Sequence, residues 1–282
     1  MPSTLQKLSW RANLLKKALL SFPIVDWKGV FREIFSSHSR AYPKPLLLER
    51  DGDFGLYQVA DRRVWFPLSF DPSVLGFVYD EIFVQDIYEW GPCHIRPGDW
   101  VVDAGACEGF FSLYALEKGA NVLAFEPVPE LAQALEKTLS EFIKAGRAKV
   151  YPLGLGREKE EKTMFILRDG AVGGSTFSDK KMDFHRHDVA SAVKVPLQIV
   201  SLDLLLFSGS LPPISFIKAD VEGYECELLL GAQETVRRYR PRLSICTYHL
   251  PDDWRVIPRM IRRFGVGYKM KFSGLLDHLY GW

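Results

Sequence analysis

Cysteine is scarce in this chain, and the four present (Cys93, Cys107, Cys226 and Cys246) form no CxxC pair. That pattern fits neither a disulfide framework nor a clustered zinc site, and predicts reduced thiols in a cytoplasmic protein. Long apolar runs are missing too. No window approaches the ~18 residues that a spanning helix needs, so no transmembrane segment is expected. The run Ala18–Pro23 is too short and too interrupted for a secretory leader, and no A-x-A site follows it. Charge of one sign is not in excess, the formal net charge being +1. Neither a nucleic-acid partner nor disorder is expected on that ground. Internal repeats and low-complexity tracts are absent as well.

What is present is apolar content, 47% of 282 residues, enough for one large or two small cores. The basic excess is local. Lys7, Arg11, Lys16, Lys17, Lys28, Arg32, Arg40, Lys44 and Arg50 outnumber Asp26, Glu33 and Glu49. A solvated helical face accounts for this, with a membrane-surface or acidic-partner contact as the alternative.

Residues 1–40 carry helical periodicity broken at Pro23. Leu46–Leu48, Leu56–Val59 and Val64–Phe66 read as a small antiparallel β-meander. Tyr79 to Trp90 predicts an amphipathic helix. Beyond it, strands at Trp100–Asp103, Asn121–Phe125, Val150–Leu155, Thr163–Leu167, Val195–Val200, Ile214–Asp220, Leu243–Tyr248, Tyr268–Phe272 and Asp277–Trp282 are expected. Helices over Pro129–Gly146, Glu225–Tyr239 and Asp252–Phe264 alternate with them, a short one opens at Ser201-Leu202-Asp203, and residues 169–190 show no period. Such alternation predicts an α/β protein with a doubly wound, mainly parallel sheet. The last two strands are joined too tightly for a parallel crossover, which takes about a dozen residues, so one of them runs antiparallel.

The most informative stretch is Asp99 to Glu130. An apolar strand ends on Asp103, turns through Gly105 and Gly109 into a helix, and a second strand stops on Glu126. Such a unit places a ligand over the C-terminal edge of a parallel sheet, with glycines allowing close backbone approach. Glu126 can accept hydrogen bonds from both hydroxyls of a ribose. The glycines do not fit the G-x-G-x-x-G of a dinucleotide fold. Asp103 and Glu108 would repel a pyrophosphate but suit a sulfonium and an amino group. The pattern favours S-adenosylmethionine over NAD.

Two blocks carry a resemblance. One is Val101 to Phe111 with Ala124-Phe125-Glu126-Pro127. The other is Phe216-Ile217-Lys218-Ala219-Asp220-Val221-Glu222-Gly223-Tyr224-Glu225, reaching Gly231-Ala232, with Pro241 and Tyr248-His249 beyond it. Residues 75–282 thereby resemble a class I S-adenosylmethionine-dependent methyltransferase of the FkbM family. Residues 1–74 form an N-terminal helical segment and meander that match only loosely. The resemblance implies a seven-stranded Rossmann-like sheet with one antiparallel strand, S-adenosylmethionine as methyl donor, and O-methylation of a small molecule, sugar or glycan. The sequence departs from many relatives in placing Cys107 where they have Asn.

The cofactor-binding residues expected on this reading are Asp103, Gly105, Ala106, Cys107, Glu108, Gly109, Phe110, Glu126, Pro127 and Asp220. Asp220, Glu222 and His249 are the catalytic candidates. Asp220 and Glu222, one residue apart at a strand end, face the same way if the segment is extended. His249 can take a proton from a hydroxyl. The alternatives are a helix cap for Glu222, a turn cap for His249, and a structural role for Glu225 on backbone or Lys218. His185 and His187 read as surface-loop residues and no metal is expected; Asp220, Glu222 and His249 around a divalent ion form the variant. Two rival functions remain, a noncatalytic nucleoside- or partner-binding module and an NAD-dependent oxidoreductase.

Overall fold

The computed structural model describes residues 41–166, 193–273 and 277–282, together with Lys16. The expected helices of residues 1–40, the unpatterned stretch 169–190, and His185 and His187 lie outside the described residues, Lys16 excepted.

The centre is a seven-stranded sheet in the order β12-β13-β11-β10-β4-β5-β6. Its strands are β4 (Trp100–Ala104), β5 (Asn121–Phe125), β6 (Ala148–Tyr151), β10 (Phe216–Ala219), β11 (Arg242–Cys246), β12 (Met270–Phe272) and β13 (His278–Gly281). β13 runs antiparallel to both β11 and β12, while β11, β10, β4, β5 and β6 pair in parallel. The expected α/β architecture with one antiparallel strand is what the chain adopts.

Alternation along the strands divides the apolar residues between two faces. On β4, Val101 packs into one core and Val102 into the other. The first core takes α2 (Phe110–Glu117), α3 (Pro129–Thr138) and the meander of β1 (Leu46–Asp51), β2 (Phe54–Val59) and β3 (Arg62–Pro67). The Trp65 N–H donates to Thr138 Oγ1 at 2.9 Å, tying the meander to the end of α3. The second core takes α5 (Leu202–Phe207), α6 (Glu225–Leu230), α7 (Gln233–Tyr239) and α8 (Asp253–Arg263). Sheets covered on both faces bury their strands fully, which accounts for the near-continuous apolar runs in β4, β5, β10 and β11.

Several expected boundaries are corrected. The helix predicted over Tyr79–Trp90 starts earlier, as α1 (Val74–Tyr79), passes into a π-helical turn (Asp80–Val84) and stops, with Asp86 at φ +55°. Tyr88 is thereby released to reach the sheet edge. The single helix over Pro129–Gly146 breaks at Leu139 into α3 and α4 (Ser140–Lys144). That over Glu225–Tyr239 breaks at Gly231, where a Cβ would stand 2.0 Å from the Gly156 carbonyl oxygen. The strand expected over Val150–Leu155 splits around Pro152 and Leu153. Its second part, β7 (Gly154–Leu155), joins β8 (Glu160–Ile166) and β9 (Val193–Val200) in a separate sheet, β7-β9-β8. Ser201 caps α5, its Oγ accepting the Leu204 N–H at 3.1 Å. The Asp203 carboxylate accepts the N–H groups of Glu234 and Thr235 and so caps α7.

Candidate active site

A cavity of about 510 Å³ opens over the C-terminal ends of β4, β5 and β10. One half is built from the turn after β4. Gly105 sits at φ +74°, and a Cβ there would stand 2.0 Å from the Asp220 carbonyl oxygen. The glycine therefore permits the left-handed turn and also lets the ends of β4 and β10 meet. The N–H groups of Gly105 and Ala106 both donate to the Phe125 carbonyl, at 3.0 and 3.1 Å. Cys107 also adopts a left-handed conformation, φ +47°, which asparagine tolerates better than most residues.

Glu126 closes this half. Its oxygens accept the Cys107 and Val128 N–H groups, each at 2.9 Å, which fixes the carboxylate against the turn. Burial pushes its pKa up to about 7, against the lowering effect of those two N–H donors and of Lys218. Burial raises the Glu108 carboxyl as well. Among the expected cofactor residues, Gly105, Ala106, Cys107, Glu108, Glu126, Pro127 and Asp220 line the cavity. Asp103, Gly109 and Phe110 lie behind that wall. Asp103 is fully buried, accepts the Ser112 hydroxyl at 2.7 Å and pairs with Lys218 Nζ at 3.1 Å. Lys218 in turn donates to the Gly105 carbonyl at 2.7 Å. At Gly109, φ +91°, a Cβ would meet Leu135 at 2.5 Å, and Phe110 packs edge-on against Tyr79 and Phe83.

The other half comes from side chains. Asp220 follows β10 and accepts the Tyr88 hydroxyl at 2.6 Å and the Tyr248 hydroxyl at 3.4 Å. Burial would raise its pKa, but Lys218, His249 and the Tyr88 hydroxyl together hold it well below the usual carboxylate range. The segment beyond Asp220 is not extended: Glu222 is left-handed at φ +57° and Gly223 follows at +94°. The expectation that pleating aligns the two carboxylates is thus replaced by a turn that reaches the same result. His249 Nε2 lies 3.2 Å from Glu222 Oε2 and 3.4 Å from Asp220 Oδ1. Its Nδ1 lies 2.8 Å from Glu225 Oε1, an oxygen that also accepts the Val221 N–H at 3.0 Å. Asp220 and Glu222 line the cavity, whereas His249 stands behind them, 1% exposed.

Sequence reasoning missed four residues of this wall: Glu81, Tyr88, Asp277 and His278. The His278 Nδ1 lies 3.3 Å from Asp277 Oδ1, and its ring meets Tyr88 edge-on at 5.3 Å. Burial first, then the charges of Asp220 and Asp277, push Glu81 up to about 8. Lys218, inside the second motif block, pairs with Asp103 and the Gly105 carbonyl and not with Glu225, the partner expected for it. Among the described residues, the lining carboxyl groups are Glu81, Glu108, Glu126, Asp220, Glu222 and Asp277, and Lys218 is the only lining lysine or arginine. With Asp220 and Asp277 held ionised among these carboxyl groups, the concavity favours a ligand carrying positive charge.

The chain has relatives among known proteins. Over 236 residues the chain is 26% identical to the AMB antimetabolite synthetase AmbE of Pseudomonas aeruginosa, a match covering 71% of the chain but 11% of that protein. It is 28% identical over 179 residues to the 31-O-demethyl-FK506 methyltransferase FkbM of Streptomyces tacrolimicus, covering 56% of the chain and 68% of that enzyme. The crystal structure of methyltransferase FkbM from Methylobacillus flagellatus superimposes with a TM-score of 0.50 at 22% identity, covering 67% of the chain and 44% of that one. That likeness bears on the fold. Residues 103–270 match the methyltransferase FkbM domain, and they span both halves of the cavity. The chain belongs to the FkbM methyltransferase family.

Proposed function

We propose that the protein transfers a methyl group from S-adenosylmethionine to a hydroxyl of a small molecule, sugar or glycan. Family membership supports the cofactor, and so does the cavity. The observation that carries the reading is one continuous acidic concavity joining the Gly105–Glu126 turn to the Asp220–Glu222 edge. Its volume suits a nucleoside-sized ligand. S-adenosylmethionine, when bound, supplies an electrophilic methyl carbon.

The chain's own residues supply the rest. Glu126, immobilised by two backbone N–H groups, would accept the ribose hydroxyls. The Gly105–Cys107 backbone lets the ligand approach without side-chain obstruction. Asp220, fixed by Tyr88, is placed to hold the acceptor hydroxyl, with Glu222 beside it. His249 fixes the spacing of these two carboxylates and is a candidate for moving the acceptor's proton through them. Alignment of the acceptor oxygen alone can contribute on the order of 7–11 kcal/mol to such a displacement. Oxygen is favoured as the acceptor atom because the FK506 relative is named for an O-demethyl substrate.

The test has two stages. Purified protein should bind S-adenosylhomocysteine in a calorimeter. It should then transfer label from radiolabelled S-adenosylmethionine to a product in fractionated metabolite extracts. Binding without any labelled product across extracts would favour a noncatalytic module, and binding of NAD in place of the nucleoside would sink the reading.

A further inference from the structure

We propose, resting on the methyl-transfer reading above, that the face of α1 bearing Val74, Phe77 and Val78 is the acceptor's binding wall. The acceptor it fits is a neutral alcohol with an apolar body, not a bare sugar.

In α1, Val74, Phe77 and Val78 stand at i, i+3 and i+4, and Glu81 continues the row in the turn that follows. Side chains so spaced share one face of a helix. An apolar row of this kind ordinarily packs against a core, yet all four residues line the cavity. The other sides of α1 are taken. Leu75 and Tyr79 are buried, and the Tyr79 ring meets Phe110 edge-on at 6.0 Å and stacks on Phe83 at 5.0 Å. Gly76 lies so close to the preceding segment that a Cβ would stand 2.0 Å from the Pro43 carbonyl oxygen. The helix is thereby clamped with its row turned to the cavity. Phe77 is 41% exposed, and Tyr42 touches its ring edge-on at 5.4 Å, holding it without covering it. Apolar side chains exposed singly need no explanation. Three on one face, opening on the cavity that would hold the reacting atoms, call for an apolar occupant.

The row leads to the acceptor end. Burial first, then the charges of Asp220 and Asp277, raise Glu81 to about 8. At neutral pH Glu81 therefore keeps its proton, and its carboxyl can both donate to a hydroxyl and accept from one. From Val74 to Glu81 the row runs about 10 Å along the helix. An alcohol with its hydroxyl beside Glu81 and Asp220 would lay its body over Val78, Phe77 and Val74. A bare sugar, carrying hydroxyls on every side, would press some of them against valine and phenylalanine without partners, which costs free energy. The nucleoside has an apolar wall of its own: Phe125, Val128 and Leu131, neighbours of Glu126 in sequence, also line the cavity.

N-phenyl-1-naphthylamine, a neutral apolar fluorophore, is the probe. The full chain saturated with S-adenosylhomocysteine should bind it saturably, with a rise in fluorescence. Menthol should displace it and glucose should not. Phe77→Ser should weaken probe binding by about 10-fold and Val74→Ser should weaken it too, both with S-adenosylhomocysteine affinity unchanged and the fold checked by circular dichroism. Phe207→Ser removes a ring that is 71% exposed on α5, against the other core, and should leave probe binding as it is. Absence of saturable binding, or binding lost in Phe207→Ser but kept in Phe77→Ser, would overturn the proposal. Mutual exclusion of probe and S-adenosylhomocysteine would overturn it as well, giving the row to the nucleoside. In metabolite extracts, product labelled from radiolabelled S-adenosylmethionine should partition into octanol. Label confined to water-soluble sugars would overturn the apolar acceptor while leaving methyl transfer standing. Failure of S-adenosylhomocysteine to bind would strike the methyl-transfer reading instead, and the probe titration without nucleoside would still test the row.

Discussion

The two halves of the cavity are made of different material. After β4 and β5, the wall is backbone: a left-handed glycine, stacked N–H groups and one carboxylate clamped by two of them. After β10 and β11, the wall is side chain, with Tyr88, Asp220, Tyr248, His249 and His278 brought from four separate parts of the chain. A backbone wall admits a fixed ligand and tolerates little substitution. A side-chain wall can change residue by residue, which is where acceptor choice within a family would be expected to reside. Lys218 joins the halves, pairing with Asp103 under the turn while donating to the Gly105 carbonyl.

Breaking that junction should have the largest effect. Lys218→Met removes the buried cation and leaves Asp103 charged in the core, a change that costs about 3–5 kcal/mol. Chemical denaturation should show the loss directly, and the double variant Lys218→Met with Asp103→Leu should recover much of it. Recovery would identify the pair as structural glue, whereas stability unchanged in the single variant would remove the junction.

Gly105→Ala should come next and should damage both halves together. The left-handed φ costs an alanine about 1–2 kcal/mol, and the overlap with the Asp220 carbonyl adds about 1–3 kcal/mol. Because the clash pushes on Asp220, S-adenosylhomocysteine affinity and the rate of methyl transfer at saturating donor should fall together. Loss of one with the other untouched would show that the halves are independent.

How far the sequence revealed each half follows from the same difference. The backbone wall was legible because strand, turn, helix and strand lie within one local stretch, and Gly105, Gly109 and Glu126 keep their spacing in it. The side-chain wall was legible only where a motif marked it, at Asp220, Glu222 and His249. Tyr88 escaped because periodicity extended its helix, when Asp86 in fact turns the chain left-handed and frees the residue after Ile87. Asp277 and His278 escaped because strand order, not local pattern, brings β13 beside β11. Gly231 likewise breaks a helix for a tertiary reason, its contact with Gly156, which no helical pattern records.

A sharper probe of the backbone wall alone is Glu126→Ala. Loss of charge-assisted hydrogen bonds should weaken S-adenosylhomocysteine by ~1.5–3 kcal/mol, read by calorimetry at pH 8. Unchanged nucleoside affinity in a folded variant would place the ribose elsewhere.

The smallest effect, and the most specific, is the pH dependence of that same contact. Burial raises Glu126 to about 7, well above an unfolded glutamate. The folded protein therefore holds a proton that the unfolded chain has released. Glu126 consequently lowers stability as pH rises from the unfolded glutamate range through about 7, the reverse of a salt-bridged carboxylate. Ligand binding should run the other way. Only the ionised carboxylate offers acceptor lone pairs at full charge to two ribose hydroxyls, so affinity should rise as pH passes upward through about 7. Between pH 6 and pH 8 the gain should be at most about tenfold, or ~1.4 kcal/mol. Glu126→Gln should flatten this dependence, because an amide does not titrate, and should also remove its share of the stability loss. A slope that survives the substitution would assign the titration to another cavity carboxyl, with Glu81, raised to about 8, the next to replace.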